Sequence, residues 1–270
     1  CCASKHLKKR SCIRKKKGRR NKENMGYHES LTEGRNAVLE AFRSGKTVDR
    51  LFVLDGCQDG PVKTILREAK KQDTMVQYVK KERIDQLSET KNHQGVIAYC
   101  AACEYAEVSD ILENAKKKGE APFIVLLDGI EDPHNLGAII RTANQAGAHG
   151  VIIPKRRAVG LTATVARTSA GAVNYTPVAK VTNLVTVMED LKKEGMWFVC
   201  ADMDGEEMYS LNLKGPIGLV IGNEGEGVSR LVKEHCDMVA SIPMKGDIDS
   251  LNASVAMGVL AYEIVRQRRF

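Results

Sequence analysis

The sequence predicts an α/β fold, in which a wound, mostly parallel sheet in the second half of the chain follows a smaller α/β domain. Strand-length runs alternate with helical patterns from Gly34 onwards, and the runs after Pro122 are nearly all apolar. Strands that are buried on both faces are typical of a parallel sheet covered by helices. With 270 residues and a hydrophobic content of 43%, the chain is long enough for two domains with buried cores.

A basic tract opens the chain. Eleven of the 41 Lys and Arg residues lie in residues 1–22, which contain no acid, so the other residues carry 30 basic and 34 acidic side chains. Such a tract is typical of an arm that binds a polyanion, because each cation releases a counterion from phosphate. The alternative is a solvated tail without a role, native or appended, since Met25 is a plausible start. We expect residues 1–25 to be disordered.

Residues 26–103 are predicted to form the first domain, with three strands and intervening helices. The first helix carries Val38, Ala41 and Phe42 at helical spacing. The predicted strands are 51–54, 75–79 and 96–101; Pro61 opens a second helix, and Ile84 and Leu87 mark a third. Cys100 and Cys103 form a C-x-x-C pair without a second pair nearby, so we expect reduced thiols and no metal site.

The second domain is predicted to cover residues 122–270, after a linker at residues 104–121 that is acidic and helical and ends in a charged stretch. Its predicted strands are 123–127, 151–153, 197–200, 217–221 and 238–242. No run approaches 18 uninterrupted apolar residues, and the basic tract lacks the apolar stretch of a signal peptide. These features predict a soluble, cytoplasmic protein without membrane contact.

Three segments of the second domain concentrate Gly, Asn, Ser and charge after predicted strands, where α/β folds bind ligands. The first, residues 128–137, leads into a helix that carries Arg141. Asp132 or Asn135 could simply cap this helix. Capping does not explain an arginine among apolar neighbours, and a helix N-terminus favours an anion such as phosphate. The pattern therefore favours a functional site.

The second segment, residues 221–229, contains three glycines, which allow a ligand to approach the backbone closely. Its G-x-x-G-x-G spacing and its two glutamates disfavour a dinucleotide, whose pyrophosphate they would repel. The third segment, residues 242–254, leads into a helix rich in Ala and Gly, which must pack closely against a sheet or another subunit. Within it, Ser250 or Asn252 could be a helix cap and nothing more.

The order and spacing of N-L-G-A-I-I-R-T-A (135–143), I-G-N-E-G-E-G-V (221–228) and S-L-N-A-S-V-A (250–256) resemble the three motifs of the SpoU/TrmH group of SPOUT methyltransferases. The resemblance covers residues 123–268. Residues 30–103, with N-H-Q-G-V at 92–96, resemble the ribosomal-protein-like RNA-binding domain of the rRNA-modifying members. The resemblance implies a deep trefoil knot and ribose 2′-O-methylation of RNA by S-adenosylmethionine. A guanosine of 23S rRNA is the expected target.

The same resemblance implies the roles of individual residues and a homodimer. The reactive site is expected at Asn135, Arg141, Glu224, Ser250 and Asn252. The cofactor is expected at Gly222, Ile242, Met244 and Leu251, and the RNA at His93, Gln94 and Gly95. The subunits are expected to pair through helices 138–146 and 253–265, which are lined with small and apolar residues, and to place Arg141 of one chain near the cofactor of the other.

Two alternatives stay open at this stage. The substrate could be tRNA or another rRNA site, including one whose methylation confers antibiotic resistance, although the first domain argues against the minimal tRNA enzymes. The protein could also be a non-catalytic RNA-binding assembly factor on the same fold. The intact motif residues speak against that class, and a methyl-transfer assay on bulk rRNA separates the two.

Overall fold

The structure is a computed structural model, and it describes residues 30–57, 59–247 and 250–270. The basic tract and the predicted disorder of residues 1–25 therefore lie outside the described residues.

A four-stranded sheet forms the first domain, with the strand order β1-β4-β2-β3. β2 and β3 are parallel, and the other pairs are antiparallel. The elements are β1 (Ser30–Glu33), α1 (Arg35–Arg43), β2 (Val48–Leu54), α2 (Gly60–Lys71), β3 (Met75–Val79), α3 (Lys81–Leu87) and β4 (Val96–Cys100). The prediction of three strands missed β1, a short and largely polar edge strand.

The two faces of this sheet are covered by different helices. Successive residues of a strand point to opposite faces. Leu51 and Val53 pack with α1 and α2, whereas Phe52 packs with Ile84 of α3. The α3 face is turned towards the second domain, since Phe52, Arg83 and Leu87 line a cavity together with residues of that domain.

A six-stranded parallel sheet forms the second domain, with the order β10-β8-β9-β5-β6-β7. The elements are α4 (Val108–Lys118), β5 (Phe123–Asp128), α5 (Pro133–Gln145), β6 (Gly150–Pro154), α6 (Ala163–Thr168), β7 (Val178–Val181), α7 (Leu184–Lys193), β8 (Trp197–Glu207), β9 (Ile217–Gly222), α8 (Arg230–Glu234), β10 (Met238–Ser241) and α9 (Ala253–Arg269). The predicted α/β fold is confirmed. Five of the six strands were predicted, and β7 was missed.

The segment predicted as a linker is part of the second domain. Its helix, α4, buries Ile111 and Ala115. Ile111 occupies the space above Gly150 so closely that a Cβ at this glycine would lie 2.5 Å from its Cγ1 atom. Residues 104–121 therefore include a helix whose apolar side packs against the sheet of the second domain.

The junction between the domains is a polar cluster around Asp49. Tyr105 donates its hydroxyl proton to Asp49 Oδ1 at 2.9 Å and accepts a bond from the Leu161 amide at 2.9 Å. Lys180 Nζ lies 2.5 Å from the same carboxylate. Burial and the charge of Asp49 raise the pKa of Tyr105 well above its ordinary value, so the phenol stays protonated as the donor.

A buried histidine at the start of β6 gives the stability of this domain a pH dependence. His149 Nδ1 accepts the Phe123 amide proton at 2.9 Å, and Nε2 lies 3.1 Å from Glu120. Burial and the nearby Lys118 charge lower the pKa of His149 from its ordinary value of 6.5. The unfolded chain therefore binds this proton more readily than the folded one, so stability is lost as the pH falls below that value.

We expect the melting temperature to fall between about pH 7.5 and about pH 5.5, and the His149→Asn variant to show a flatter profile. The asparagine keeps an acceptor for the Phe123 amide but does not titrate in this range. Calorimetry of both proteins at several pH values measures the difference. Equal slopes for the two proteins would contradict the role of His149.

Candidate active site

A cavity of about 680 Å³ opens at the carboxyl ends of β8, β9 and β10. Its walls contain all four residues predicted to bind the cofactor, Gly222, Ile242, Met244 and Leu251. They also contain two of the predicted reactive-site residues, Glu224 and Ser250. Because parallel strands end at one edge of the sheet, segments that are distant in the sequence meet there.

The loop after β9 is shaped by glycine. A Cβ atom at Gly222 would lie 2.0 Å from the carbonyl carbon of Gly227, so no other residue fits this backbone. Asn223 and Gly227 exchange backbone hydrogen bonds of 3.0 and 2.8 Å, which fold residues 223–227 into a tight turn. Asn223 Nδ2 also donates to the Gly129 carbonyl at 2.9 Å and so ties this turn to the first motif.

One carboxylate oxygen joins the three motifs. Glu224 Oε1 accepts a bond from Asn135 Nδ2 at 2.9 Å, a bond from Asn252 Nδ2, and a long bond from the Ala253 amide at 3.4 Å. Asn252 Nδ2 also donates to Asn135 Oδ1 at 3.0 Å. The three side chains come from the first, second and third motifs and form a closed triangle. The structure therefore brings together three of the predicted reactive-site residues.

Helix capping accounts for only some of the polar residues in these motifs. Asp132 caps α5, because its carboxylate accepts bonds from the amides of residues 134 and 135. Asn252 caps α9 through Oδ1, which accepts the Ser254 amide proton at 3.0 Å, and its amide group remains available to the triangle. Asn135 is not the cap, so its side chain has a role other than starting the helix.

Arg141 lies apart from the other predicted reactive-site residues. It is exposed on α5, next to the buried Ile140, and does not line the cavity. Its side chain makes no ion pair or hydrogen bond with any residue in the described ranges. The guanidinium group is therefore free to bind a ligand, but within one chain it is not brought to the cavity at the end of β9.

The residues predicted to contact RNA make internal contacts. His93 Nδ1 accepts the Gly95 amide proton at 3.0 Å, and Nε2 lies 2.8 Å from Asp85. Gln94 Oε1 accepts the Arg35 amide proton at 3.2 Å. Gly95 pairs with the last residue of β2, whereas the junction with the second domain lies at the first residues of that strand. The 93–95 loop therefore lies at the far end of the first domain.

Sequence reasoning missed the wall of the cavity contributed by β8. This strand continues beyond its apolar run, and Asp202, Met203 and Glu207 line the cavity. Asp202, Glu207, Glu224 and Glu226 give the cavity four carboxylates, and none of the described Lys, Arg or His residues lines it. An acidic cavity with apolar patches and a glycine backbone fits a cationic ligand with an apolar ring system, and S-adenosylmethionine has both features.

The described carboxylates of the cavity do not form a metal site. Within the described part of the chain, no three His, Cys, Asp or Glu side chains are placed to bind one metal ion. Cys100 is buried on β4, and burial raises the pKa of the neighbouring Cys103 thiol.

We expect Glu224→Ala to lower methyl transfer by about tenfold or more, because Asn135 and Asn252 lose the acceptor that positions them. Glu224→Gln keeps an oxygen at Oε1 and should retain most of the activity. Turnover under saturating cofactor measures both variants. Equal losses would show that the site needs the negative charge of Glu224 rather than its role as an acceptor.

Fold and site define a two-domain α/β enzyme with a cavity for a cationic cofactor. Residues 122–262 match the family model described as the SpoU rRNA Methylase family, and residues 31–106 match the model for RNA 2′-O ribose methyltransferase substrate binding. The chain is 48% identical over 246 residues to YacO of Bacillus subtilis, named as a TrmH family tRNA/rRNA methyltransferase, covering 90% of this chain and 98% of that one.

Two solved structures add to these matches. An S-adenosylmethionine-bound rRNA methyltransferase from Sinorhizobium meliloti is 26% identical, with a TM-score of 0.55 over 87% of this chain and 86% of that one. A TrmH/SpoU tRNA modifying enzyme from A. aeolicus is 28% identical, with a TM-score of 0.51 over 59% of this chain and 84% of that one.

The chain belongs to the SpoU/TrmH family of RNA methyltransferases, which confirms the predicted family. It is an RNA 2′-O ribose methyltransferase whose cofactor is S-adenosylmethionine. None of the described helices is both long enough and apolar enough to cross a membrane.

Proposed function

We propose that this enzyme methylates the 2′-hydroxyl of a guanosine in 23S rRNA. The presence of the first domain supports rRNA as the substrate. The S. meliloti enzyme, named as an rRNA methyltransferase, covers 87% of this chain, whereas the A. aeolicus tRNA modifying enzyme covers 59%. A substrate-binding domain that the rRNA enzyme shares favours an rRNA target. Such a target would place the reaction in the cytoplasm.

The proposed cofactor site is the cavity at the end of β9. Backbone at Gly222 allows close contact with the cofactor, and Ile242, Met244 and Leu251 supply the apolar surface. S-adenosylmethionine supplies a methyl group that its sulfonium charge already activates. The protein must then hold the ribose hydroxyl in line with that methyl group and stabilise the charge that develops as the hydroxyl proton leaves.

The reactive residues divide these tasks. The hydrogen bonds of Asn135 and Asn252 hold Glu224 in place at the cavity, whose lining also includes Ser250. We assign Arg141 to the RNA, where it holds a phosphate or stabilises the developing alkoxide. A guanidinium group is protonated at all physiological pH values, so it is a poor general base.

We further propose that two chains form the working unit. The helix 253–265 was expected to pair through its apolar residues, but Ala253, Met257 and Leu260 are buried within the subunit, so they do not form its outer face. A different stripe supports pairing: Val255 and Tyr262 on α9 are 50% and 51% exposed, at helical spacing. Arg141, which lies outside the cavity of its own chain, would then complete the site of the partner.

A methyl-transfer assay tests the function. Labelled S-adenosylmethionine is incubated with in-vitro-transcribed 23S rRNA, 16S rRNA and a tRNA pool, and the labelled nucleotide is mapped. We expect a single 2′-O-methylguanosine in 23S rRNA, and the Gly222→Ala variant serves as the inactive control. Labelling of tRNA alone would show that the substrate is tRNA and not rRNA. If no RNA is labelled, the proposed function is contradicted.

A further inference from the structure

A second cavity, of about 300 Å³, lies between the two domains. The apolar part of its lining includes Phe52 and Met75 from the first domain and Val159 from the second. Its walls are basic and carry Arg50, Arg83, Lys155 and Lys180. Arg50 and Arg83 belong to the first domain, and Lys155 and Lys180 belong to the second. Both domains are therefore needed to form the cavity.

The positive charge of this cavity is only partly neutralised. Lys180 pairs with Asp49 at 2.5 Å, and Lys155 pairs with Asp73. Arg50 and Arg83 are exposed, and neither forms an ion pair with another residue in the described ranges. Two arginines that no described residue neutralises, beside apolar side chains of the same cavity, are suited to an anion that carries an apolar group.

The position of the cavity relates it to the catalytic site. Lys155 directly follows β6, and Lys180 lies near the end of β7. These strands belong to the same parallel sheet as β5 and β9, so their carboxyl ends lie at the edge that holds the cofactor cavity. β6 is two strands from β9, a separation of about 10 Å. Arg156 and Arg157 follow Lys155 and are exposed at this edge.

We propose that this interdomain cavity binds a nucleotide of the substrate RNA close to the methylated ribose. Arg50 and Arg83 pair with the phosphate, which guanidinium groups bind in a bidentate manner. Phe52, Met75 and Val159 contact an unstacked base, as is common where proteins recognise single-stranded RNA. The inference rests on the proposed function. It assigns RNA contact to the α3 face of the first domain, in addition to the distant 93–95 loop.

The test compares two double variants that remove the same charge. Arg50→Gln with Arg83→Gln changes the cavity. Arg43→Gln with Arg67→Gln changes exposed residues of α1 and α2, which cover the opposite face of the sheet. We expect the cavity variant to raise the KM for in-vitro-transcribed 23S rRNA about tenfold and to reduce the salt dependence of binding by about one phosphate contact. Its kcat and cofactor affinity should stay near wild type.

The control variant should match the wild-type KM, and Arg50→Lys with Arg83→Lys should recover part of the lost affinity because the charge is kept. Equal effects of the two glutamine variants, or a wild-type KM in the cavity variant, would overturn the inference. Unchanged cofactor affinity shows that the variants are folded. If the wild-type enzyme methylates no RNA, the proposed function fails instead, so the two failures are distinguishable.

Discussion

Replacing Gly222 by alanine is expected to abolish S-adenosylmethionine binding, with a rise in Kd of about 10²-fold or more. The added Cβ would lie 2.0 Å from the carbonyl carbon and 2.2 Å from the carbonyl oxygen of Gly227. Both are backbone atoms of the tight turn, so no side-chain rotation can relieve the overlap. The turn itself must move, and with it the wall of the cofactor cavity. Isothermal titration with S-adenosylmethionine measures the loss.

Gly225 provides the matched control, because it lies three residues further along the same turn. A Cβ there would meet only Asn223 Oδ1, at an ordinary distance of 3.5 Å. Gly225→Ala should therefore bind the cofactor with nearly wild-type affinity. Similar losses in both variants would mean that the turn needs glycine for flexibility in general, and that the close approach at Gly222 is not decisive.

The sequence predicted the long apolar elements of the fold better than the short ones. β5, β6 and β9 are completely or almost completely buried, so their sequences are continuous apolar runs. β1 and β7 have four residues each and contain polar or charged side chains, so they lack the apolar run from which β10, a strand of the same length, was predicted. The packing of the segment predicted as a linker was missed for a related reason. The charged residues of α4 dominate its composition, while two buried residues decide where it packs.

The candidate site was predictable where motifs follow strands, and not where contacts depend on tertiary geometry. The triangle of Asn135, Glu224 and Asn252 comes from three motifs that the sequence marks clearly. Asp202 and Glu207 lie in an acidic stretch that follows the apolar run of β8. They reach the cavity only because β8 continues to pair with β10 beyond that run. The internal contacts of His93 could not be predicted either, because Asp85 lies on another element.

Arg141→Ala is expected to lower methyl transfer by about 10²-fold or more while leaving the fold and the cofactor affinity unchanged. The side chain is exposed on α5, so its removal leaves no cavity in the core. We assign its guanidinium group to the RNA and not to the cofactor, so cofactor binding should not depend on it. Single-turnover kinetics together with cofactor titration separate the two effects. Arg141→Lys should recover part of the rate, since the positive charge is kept but the planar fork is lost.

The same variant tests whether sites are shared between subunits. Arg141→Ala and Gly222→Ala proteins are mixed after mild dissociation, and each alone should be nearly inactive. If Arg141 acts in the partner's active site, every mixed dimer contains one site in which both residues are intact. Random exchange should then restore about a quarter of the wild-type activity. If Arg141 acts within its own chain, every site of a mixed dimer keeps one defect, and activity stays at the level of the separate variants. Labelled subunits confirm that exchange has occurred, so a lack of recovery after exchange contradicts the shared site.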